Sequence, residues 1–292
     1  MKKRLVKKSS ASTTDSSSSD KGVLYVVATP IGNLEDITLR AVRVLREVDC
    51  IAAEDTRQTR KLLSHLGIHA KLISYFKHRE MEKGQELLNR LGRGECIALV
   101  ADAGTPCISD PGTLLVRAAR EQGYAVVPVP GVSALTTALS VSGIDTAFSF
   151  HGFLPAKEQQ RKKILQGLSQ RNEALVFYES PRRVVGLLRT INEVMEGCQV
   201  LLARELTKLH EEILHGGPKE LLQEIESRAT CKGEFVVIVT PQEKGNTSSF
   251  VADQKIRNCL DELQRSGRLS MRDAVLRFSS SRLSENSLSG SI

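Results

Sequence analysis

Val23-Leu-Tyr-Val-Val-Ala28 runs directly into Thr29-Pro-Ile-Gly-Asn33, and a helical pattern follows over residues 37–48, with Leu39, Val42 and Leu45 three apart. An aliphatic, β-branched run, a loop of small residues with Pro and Gly, and an amphipathic segment make one β-loop-α unit. The unit repeats. Strands are expected at 50–53, 71–75, 96–101 and 125–129, each followed by a helix, at 59–66, 80–91, 111–122 and 133–141. Pro111 near the start of one helix and Gly123 just past its end fit the usual capping asymmetry. Strands alternating with helices predict right-handed βαβ units and a mainly parallel sheet covered on both faces. An N-terminal α/β domain over 22–143 accounts for this half.

Ser142-Gly-Ile-Asp-Thr146 interrupts the rhythm. Beyond it, strands are expected at 148–153, 174–178, 199–204, 211–215 and 234–240, with helices at 158–168, 181–194 and 218–227. No helix separates the two strands of the 199–215 region, so they pair antiparallel and this second sheet is mixed. The fold class is therefore α/β, with a parallel sheet over 22–143 and a mixed sheet in a C-terminal domain over 144–245. Ligands in open α/β sheets sit beyond the carboxyl ends of the strands.

Composition narrows the function classes. The 292 residues carry 41 Lys and Arg against 34 Asp and Glu, a formal charge of +7, with 40% hydrophobic and 26% charged residues. That is the profile of an ordinary globular protein. No apolar run approaches the ~20 residues a membrane-spanning helix needs. Six scattered cysteines without a CxxC pair argue against a disulfide framework or zinc site and for free thiols in a reducing cytoplasm. The positive charge is concentrated at the ends: six basic and two acidic residues in 1–21, seven and five in 246–292, but 28 and 27 in between. Nucleic-acid affinity must then come from local patches or from the tails. Residues 1–21, Lys-rich and then Ser/Thr-rich, read as a disordered tail lacking a signal peptide's apolar stretch. Residues 246–292 read as a helical extension, patterned over 256–278 and Ser-rich beyond.

Four loops after strands concentrate Gly, Pro and small polar residues: 28–33, 101–112, 129–134 and 177–183. Glycine permits positive φ and close backbone approach, and proline stiffens the loops. Neither GxxxxGK[ST] nor a GxGxxG after the first strand is present, which leaves a P-loop or dinucleotide site unsupported. No basic run lines the first three loops to take a polyphosphate. A ligand with a nucleoside, a small zwitterion and no phosphate fits them, as S-adenosyl-methionine does.

The ordered set Ala28-Thr-Pro-Ile-Gly-Asn-Leu-Glu-Asp36, Glu54-Asp-Thr-Arg57, Asp102-Ala-Gly-Thr-Pro106 with Ser109-Asp-Pro-Gly112, Pro130-Gly-Val-Ser-Ala134, Tyr178-Glu-Ser-Pro181 and Arg204-Glu-Leu-Thr-Lys208 resembles the tetrapyrrole (corrin/porphyrin) methylase superfamily. Within it, the first loop and the Glu-Asp-Thr-Arg segment look like the branch that methylates small-subunit ribosomal RNA. The likeness covers residues 22–245. It implies 2′-O-methylation of a decoding-centre cytidine in 16S rRNA from S-adenosyl-methionine, a cofactor cleft between two domains, and a cytoplasmic homodimer. Family members often end in a helical module similar to a helix-turn-helix, from which the Ser-rich 279–292 stretch departs.

Carried over by motif, the cofactor contacts fall at Pro30, Gly104, Thr105, Ile108, Ser133 and Ala134, with Tyr178 and Gly233 closing over the adenosine. Attack by a ribose hydroxyl needs in-line geometry and an acceptor for the proton. Glu54, Asp55, Asp102, Glu179 and Glu205 are candidates. Glu205, Asp102 and Lys208 lead, because Glu205 lies in an Arg-Glu-x-x-Lys cluster at a strand end. The same charges read equally well as an ion-pair network tying loops together. Arg57, Arg182, Arg183 and Arg204 are the expected RNA contacts, and Lys157, Arg161, Lys162 and Lys163 form a second basic group on one helix. His65 with His69 and His210 with His215 have no third ligand near in sequence, and methyl transfer to oxygen requires no metal. Two other readings stay open: methylation of a small tetrapyrrole, and a non-catalytic RNA-binding relative.

Overall fold

The computed structural model describes residues 21–241. The expected tail, apart from Lys21, and the expected C-terminal extension lie outside the described residues. Those described belong to one compact unit ending at Pro241, built on two five-stranded sheets.

The first sheet holds β1 (Val23–Val27), β2 (Cys50–Ala53), β3 (Leu72–Ser74), β4 (Ile97–Val100) and β5 (Ala125–Val129) in the order β3-β2-β4-β1-β5. Every pairing is parallel. Its helices are α1 (Leu39–Glu47), α2 (Thr56–His65), α3 (Glu80–Gly92), α4 (Thr113–Glu121) and α5 (Ala134–Ser140). The strands are apolar on both sides because both sides are covered. Ile97 and Leu99 of β4 join Cys50 and Ala52 under Leu87 of α3 and Leu115 of α4. Ala98 and Val100 join Ile51 and Ala53 under Val44 of α1 and Leu63 of α2. The chain thus leaves neighbouring β1 and β4 toward opposite faces, which opens a crevice at their carboxyl ends.

Helix ends differ from the spacing-based bounds for local reasons. α2 begins at Thr56, earlier than its apolar pattern, because the Asp55 carboxylate caps it, accepting the Arg57 N–H at 2.8 Å. α4 begins after Pro111, because Gly112 at φ 127° breaks the helical path and gives its N–H to Glu80 at 2.8 Å. α7 (Val184–Val194) begins after a turn in which the Ser180 carbonyl accepts the Arg183 and Val184 N–H groups.

The second sheet is mixed, in the order β6-β7-β10-β8-β9: β6 (Phe148–Phe153), β7 (Ala174–Glu179), β8 (Gln199–Arg204), β9 (Glu212–Gly216) and β10 (Phe235–Thr240). β6 and β7 are parallel and the other pairs antiparallel, including the β8–β9 pair that the missing helix required. α6 (Glu158–Leu168), α7 and α8 (Pro218–Ser227) cover one face, with Leu165, Leu187 and Leu221 packed on Leu175, Phe177 and Val237. The other face, carrying Val176, Ala203 and Val236, packs against Ala138 and Leu135 of α5 and Ile31 of the loop after β1. Half of the second sheet's surface therefore looks at the carboxyl-end loops of the first.

Candidate active site

Those loops are stitched together before any side chain enters. Thr29 and Gly104 exchange two backbone hydrogen bonds of 2.9 Å, joining the loops after β1 and β4. Thr105 Oγ1 donates to the Val132 carbonyl at 3.0 Å, joining the loops after β4 and β5. Within nine residues the loop after β4 passes four left-handed positions, Gly104 (φ 78°), Cys107 (70°), Ser109 (68°) and Gly112 (127°). Non-glycine residues held there cost on the order of 1–3 kcal/mol each, and such strain clusters at functional sites.

The segment that carries the second sheet is hydrogen-bonded to this loop set at two places. Leu135 N–H, at the start of α5, donates to Tyr178 Oη at 3.2 Å. Asn33 N–H donates to Thr207 Oγ1 at 3.1 Å, and beside it Gly32 lies so close to Lys208 that a side chain would overlap the lysine stem. Between the two contacts lies a cavity of about 350 Å³, walled by Gly104, Thr105, Ile108, Ser133 and Ala134 from the loops and by Tyr178, Ala203, Glu205, Lys208 and Val236 from the second sheet. That volume is within the range of ligand sites, ~300–1,000 Å³.

The expected cofactor residues converge there except two. Pro30 does not line the cavity, whereas its neighbour Ile31 does. Gly233 stands behind Glu205: at φ 100° a side chain on it would collide with the glutamate. Asp102, Glu205 and Lys208 all face the cavity. Glu205, itself left-handed at φ 50°, is anchored through Oε1, which accepts from Lys208 Nζ at 2.8 Å and from Glu234 N–H at 2.9 Å. Its Oε2 has no hydrogen bond among the described residues. Burial alone raises the Glu205 pKa, but those two donors and the charges of Lys208 and Arg204 outweigh it and hold the carboxyl below its ordinary value.

Besides Glu205, the cavity receives Glu54 from the loop after β2 and both Asp102 and Asp110 from the loop after β4. Asp102 accepts the Asp55 N–H at 2.8 Å. Burial first, and then Glu54 and Asp102, push Asp110 up to about 7. Glu54 is raised as well, by burial and by Asp102. Glu179, 2% exposed, is raised by burial even though Ser180 N–H donates to its Oε1 at 2.8 Å. Its Oε2 is buried and has no hydrogen-bond partner among the described residues. The charged side chains facing the cavity are thus acidic except for Lys208. A cationic ligand suits such a site and a polyphosphate does not. S-adenosyl-methionine, with a sulfonium and an ammonium against one carboxylate, fits both the charge and the small-residue walls. Among the described residues no group of three or more His, Cys, Asp or Glu is placed to hold a metal ion.

The expected RNA contacts separate into two kinds. Arg57 is exposed but held by Asp55 in a two-pronged pair of 2.8 and 3.1 Å. Arg204 is tied to the Lys232 carbonyl at 2.6 Å and to Glu212 at 3.1 Å. Arg183 lies 3.3 Å from Glu179 and donates to the Leu154 carbonyl. Arg182 is exposed with no ion pair among the described residues. The basic group on α6 is corrected by packing. Arg161 is buried and bonds Thr190 Oγ1 at 3.0 Å and the Gly186 carbonyl at 3.1 Å, so it fastens α6 to α7, while Lys162 pairs with Glu193. Sequence reasoning missed Phe153 and Asp110. Asp110 lay in a quoted motif, but its unusual proton affinity arises from neighbours distant in sequence.

Residues 23–222 match the family model of the tetrapyrrole (corrin/porphyrin) methylases. The chain belongs to that family. It is 50% identical over 221 residues to "Ribosomal RNA small subunit methyltransferase I" of Halalkalibacterium halodurans, covering 75% of this chain and 76% of that protein. It is 50% identical over 228 residues to the protein of the same name from Escherichia coli O157:H7, covering 77% and 79%. Among solved structures, diphthine synthase superposes with a TM-score of 0.59 at 14% identity, covering 76% of this chain and 90% of that one. Uroporphyrin-III C-methyltransferase from Thermus thermophilus in complex with S-adenosyl homocysteine gives 0.54 at 19%, covering 75% and 97%. These two likenesses establish the shared fold.

Proposed function

We propose that the protein is an S-adenosyl-methionine-dependent ribosomal RNA methyltransferase that methylates the ribose 2′-oxygen of a decoding-centre cytidine in 16S rRNA, as a cytoplasmic homodimer. The observation that carries the methyl-transfer reading is the acidic, small-residue cavity between the loops of 22–143 and the open sheet face of 144–245, in a chain half identical to proteins named for methylating small-subunit rRNA. The two segments serve as the domains on either side of the cleft. The specific nucleotide, the ribose oxygen and the homodimer rest on the motif resemblance.

When bound, S-adenosyl-methionine supplies a methyl group on positively charged sulfur. Gly104 and Thr105 from the loop after β4 and Ser133 and Ala134 from the loop after β5 would hold it, beside Ile31 of the loop after β1 and opposite Tyr178. Asp102 and Asp110 balance its positive charges. Glu205 Oε2 would accept the hydrogen bond of the ribose hydroxyl and take its proton as that oxygen bonds the methyl carbon, the C–S pair remaining with the sulfur of the product. Lys208 and Gly233 keep Glu205 pointed at the cleft, the first by bonding Oε1 and the second by leaving room behind it.

The test is transfer of labelled methyl from S-adenosyl-methionine to undermethylated small ribosomal subunits, with a tetrapyrrole acceptor in parallel. The expected result is label in RNA, in a dinucleotide resistant to alkali, since a methylated 2′-oxygen cannot attack the neighbouring phosphate. Label in the tetrapyrrole would establish the small-molecule reading, and cofactor-free RNA binding without transfer the non-catalytic one.

A further inference from the structure

β6 does not keep step with β7. Phe150 pairs with Val176, but Phe153 pairs with Tyr178, so three residues on β6 match two on β7. Side chains alternate along a strand, and residues three apart normally point to opposite faces. The extra residue reverses that, as a β-bulge does, and places Phe153 on the same face as Phe150, the face that looks into the cleft. Both rings meet Tyr178 edge to face, Phe150 at 4.8 Å and Phe153 at 5.7 Å with 63° between the planes. Gly152, within the bulge, is left-handed at φ 61° and packs so tightly on the loop after β4 that a Cβ would sit 2.7 Å from Ser109 Oγ. Phe153 lines the cavity yet is 55% exposed. An aromatic ring turned to a cleft by a bulge and left half in water lacks a partner on one side.

We infer that Phe153 is the stacking platform for the nucleobase of the target nucleotide. A nucleotide whose ribose must reach Glu205 inside the cleft leaves its own stack, and an aromatic side chain at the mouth replaces that lost stacking. The small-residue walls deeper in the cavity, at Gly104, Ser133 and Ala134, suit the cofactor's adenosine, whereas the exposed ring suits a ligand arriving from solvent. This inference rests on RNA being the substrate.

The experiment compares Phe153→Ala, Phe153→Leu and Phe153→Tyr with wild type in methyl transfer to undermethylated small subunits, alongside calorimetric titration with S-adenosyl-methionine and thermal melting. Stacking of one base on an aromatic ring corresponds to roughly a ten- to hundred-fold effect. Phe153→Ala and Phe153→Leu are expected to lower kcat/KM for RNA by that factor, chiefly through KM, with cofactor affinity and melting unchanged, and Phe153→Tyr to restore it. Equal losses in Leu and Tyr, or no loss in Ala, overturn the platform. Weakened cofactor binding with an unchanged KM for RNA overturns it in favour of adenine as the stacked ring. If wild type itself transfers no methyl to RNA, the functional reading fails instead, which separates the two failures.

Discussion

The two sheets divide the labour of one cleft in opposite ways. The first is covered by helices on both faces and meets the cavity through loops of small residues and the carboxyls of Glu54, Asp102 and Asp110: these loops are cross-bonded at Thr29–Gly104 and Thr105–Val132 and strained at Cys107 and Ser109. The second is covered by α6, α7 and α8 on one face, and its other face, packed in part against α5, gives a wall that carries Tyr178 and Phe153 with Glu205 and Lys208 from the turn after β8. A ligand of constant shape is served by rigid backbone, which loses little freedom on binding. A reacting group must be oriented and a proton accepted, which takes side chains with donors, acceptors and charge. Under the proposed function, the contrast predicts where damage falls: changes in the first sheet's loops are expected to strike cofactor binding, and changes on the second sheet's cleft face to strike turnover.

The sharpest way to break this division is to fill the loop side. Ser133→Phe puts a ring where Ser133 lines the cavity, and loss of cofactor affinity by at least ~100-fold is expected, about 2.7 kcal/mol, with an unchanged melting transition. Calorimetric titration reads it, and normal affinity would place the cofactor elsewhere. On the other wall, Glu205→Gln is expected to reduce kcat by ~10²-fold or more while leaving cofactor affinity intact. Gly233→Ala, by pushing Glu205 aside, should reproduce that loss without touching a reacting atom. A Gly233→Ala enzyme with normal kcat would show that the glutamate's position is immaterial.

Asp110 sharpens the comparison through pH. Its pKa near 7 means that it gains negative charge as pH rises from 6 to 8, so affinity for the cationic cofactor should increase several-fold over that interval and flatten in Asp110→Asn. Stability runs the other way. The folded protein holds this proton from the ordinary value of 3.8 up to about 7 and the unfolded chain does not, so stability falls as pH rises through that window. The asparagine variant should melt higher than wild type above pH 7, and a lower melting point there would refute the buried-acid assignment.

Two adjacent arginines give the subtlest contrast. Arg183→Gln removes the nearer of the two cations beside the buried Glu179, Arg161 being the other, and should cost about 1–2 kcal/mol of stability, visible as a lowered denaturant midpoint. Arg182→Gln should leave melting untouched and reduce the slope of log affinity for RNA against log salt by about one phosphate equivalent. Deleting residues 1–20 should weaken binding without changing which RNA is methylated. If that deletion abolishes binding while Arg182→Gln behaves as wild type, the tail carries the RNA contact.

The order of strands and helices, the parallel first sheet and the mixed second one were legible in the sequence, because strand and helix periods, capping residues and Gly/Pro turns act within a few positions of one another. The loops that line the cavity were legible for the same reason, as backbone that packs or approaches closely announces itself through small residues. Tertiary structure decided what depends on neighbours far along the chain. Whether Arg183 and Arg204 are free or occupied depends on Leu154, Glu212 and Lys232 reaching them. Gly233 matters through Glu205 behind which it stands, Asp110 owes its proton affinity to Glu54 and Asp102, and the face on which Phe153 lies follows from a one-residue slip against β7. Charge, burial and register are properties of distance in space, and the packing of the second sheet's open face against the first sheet's loops sets those distances.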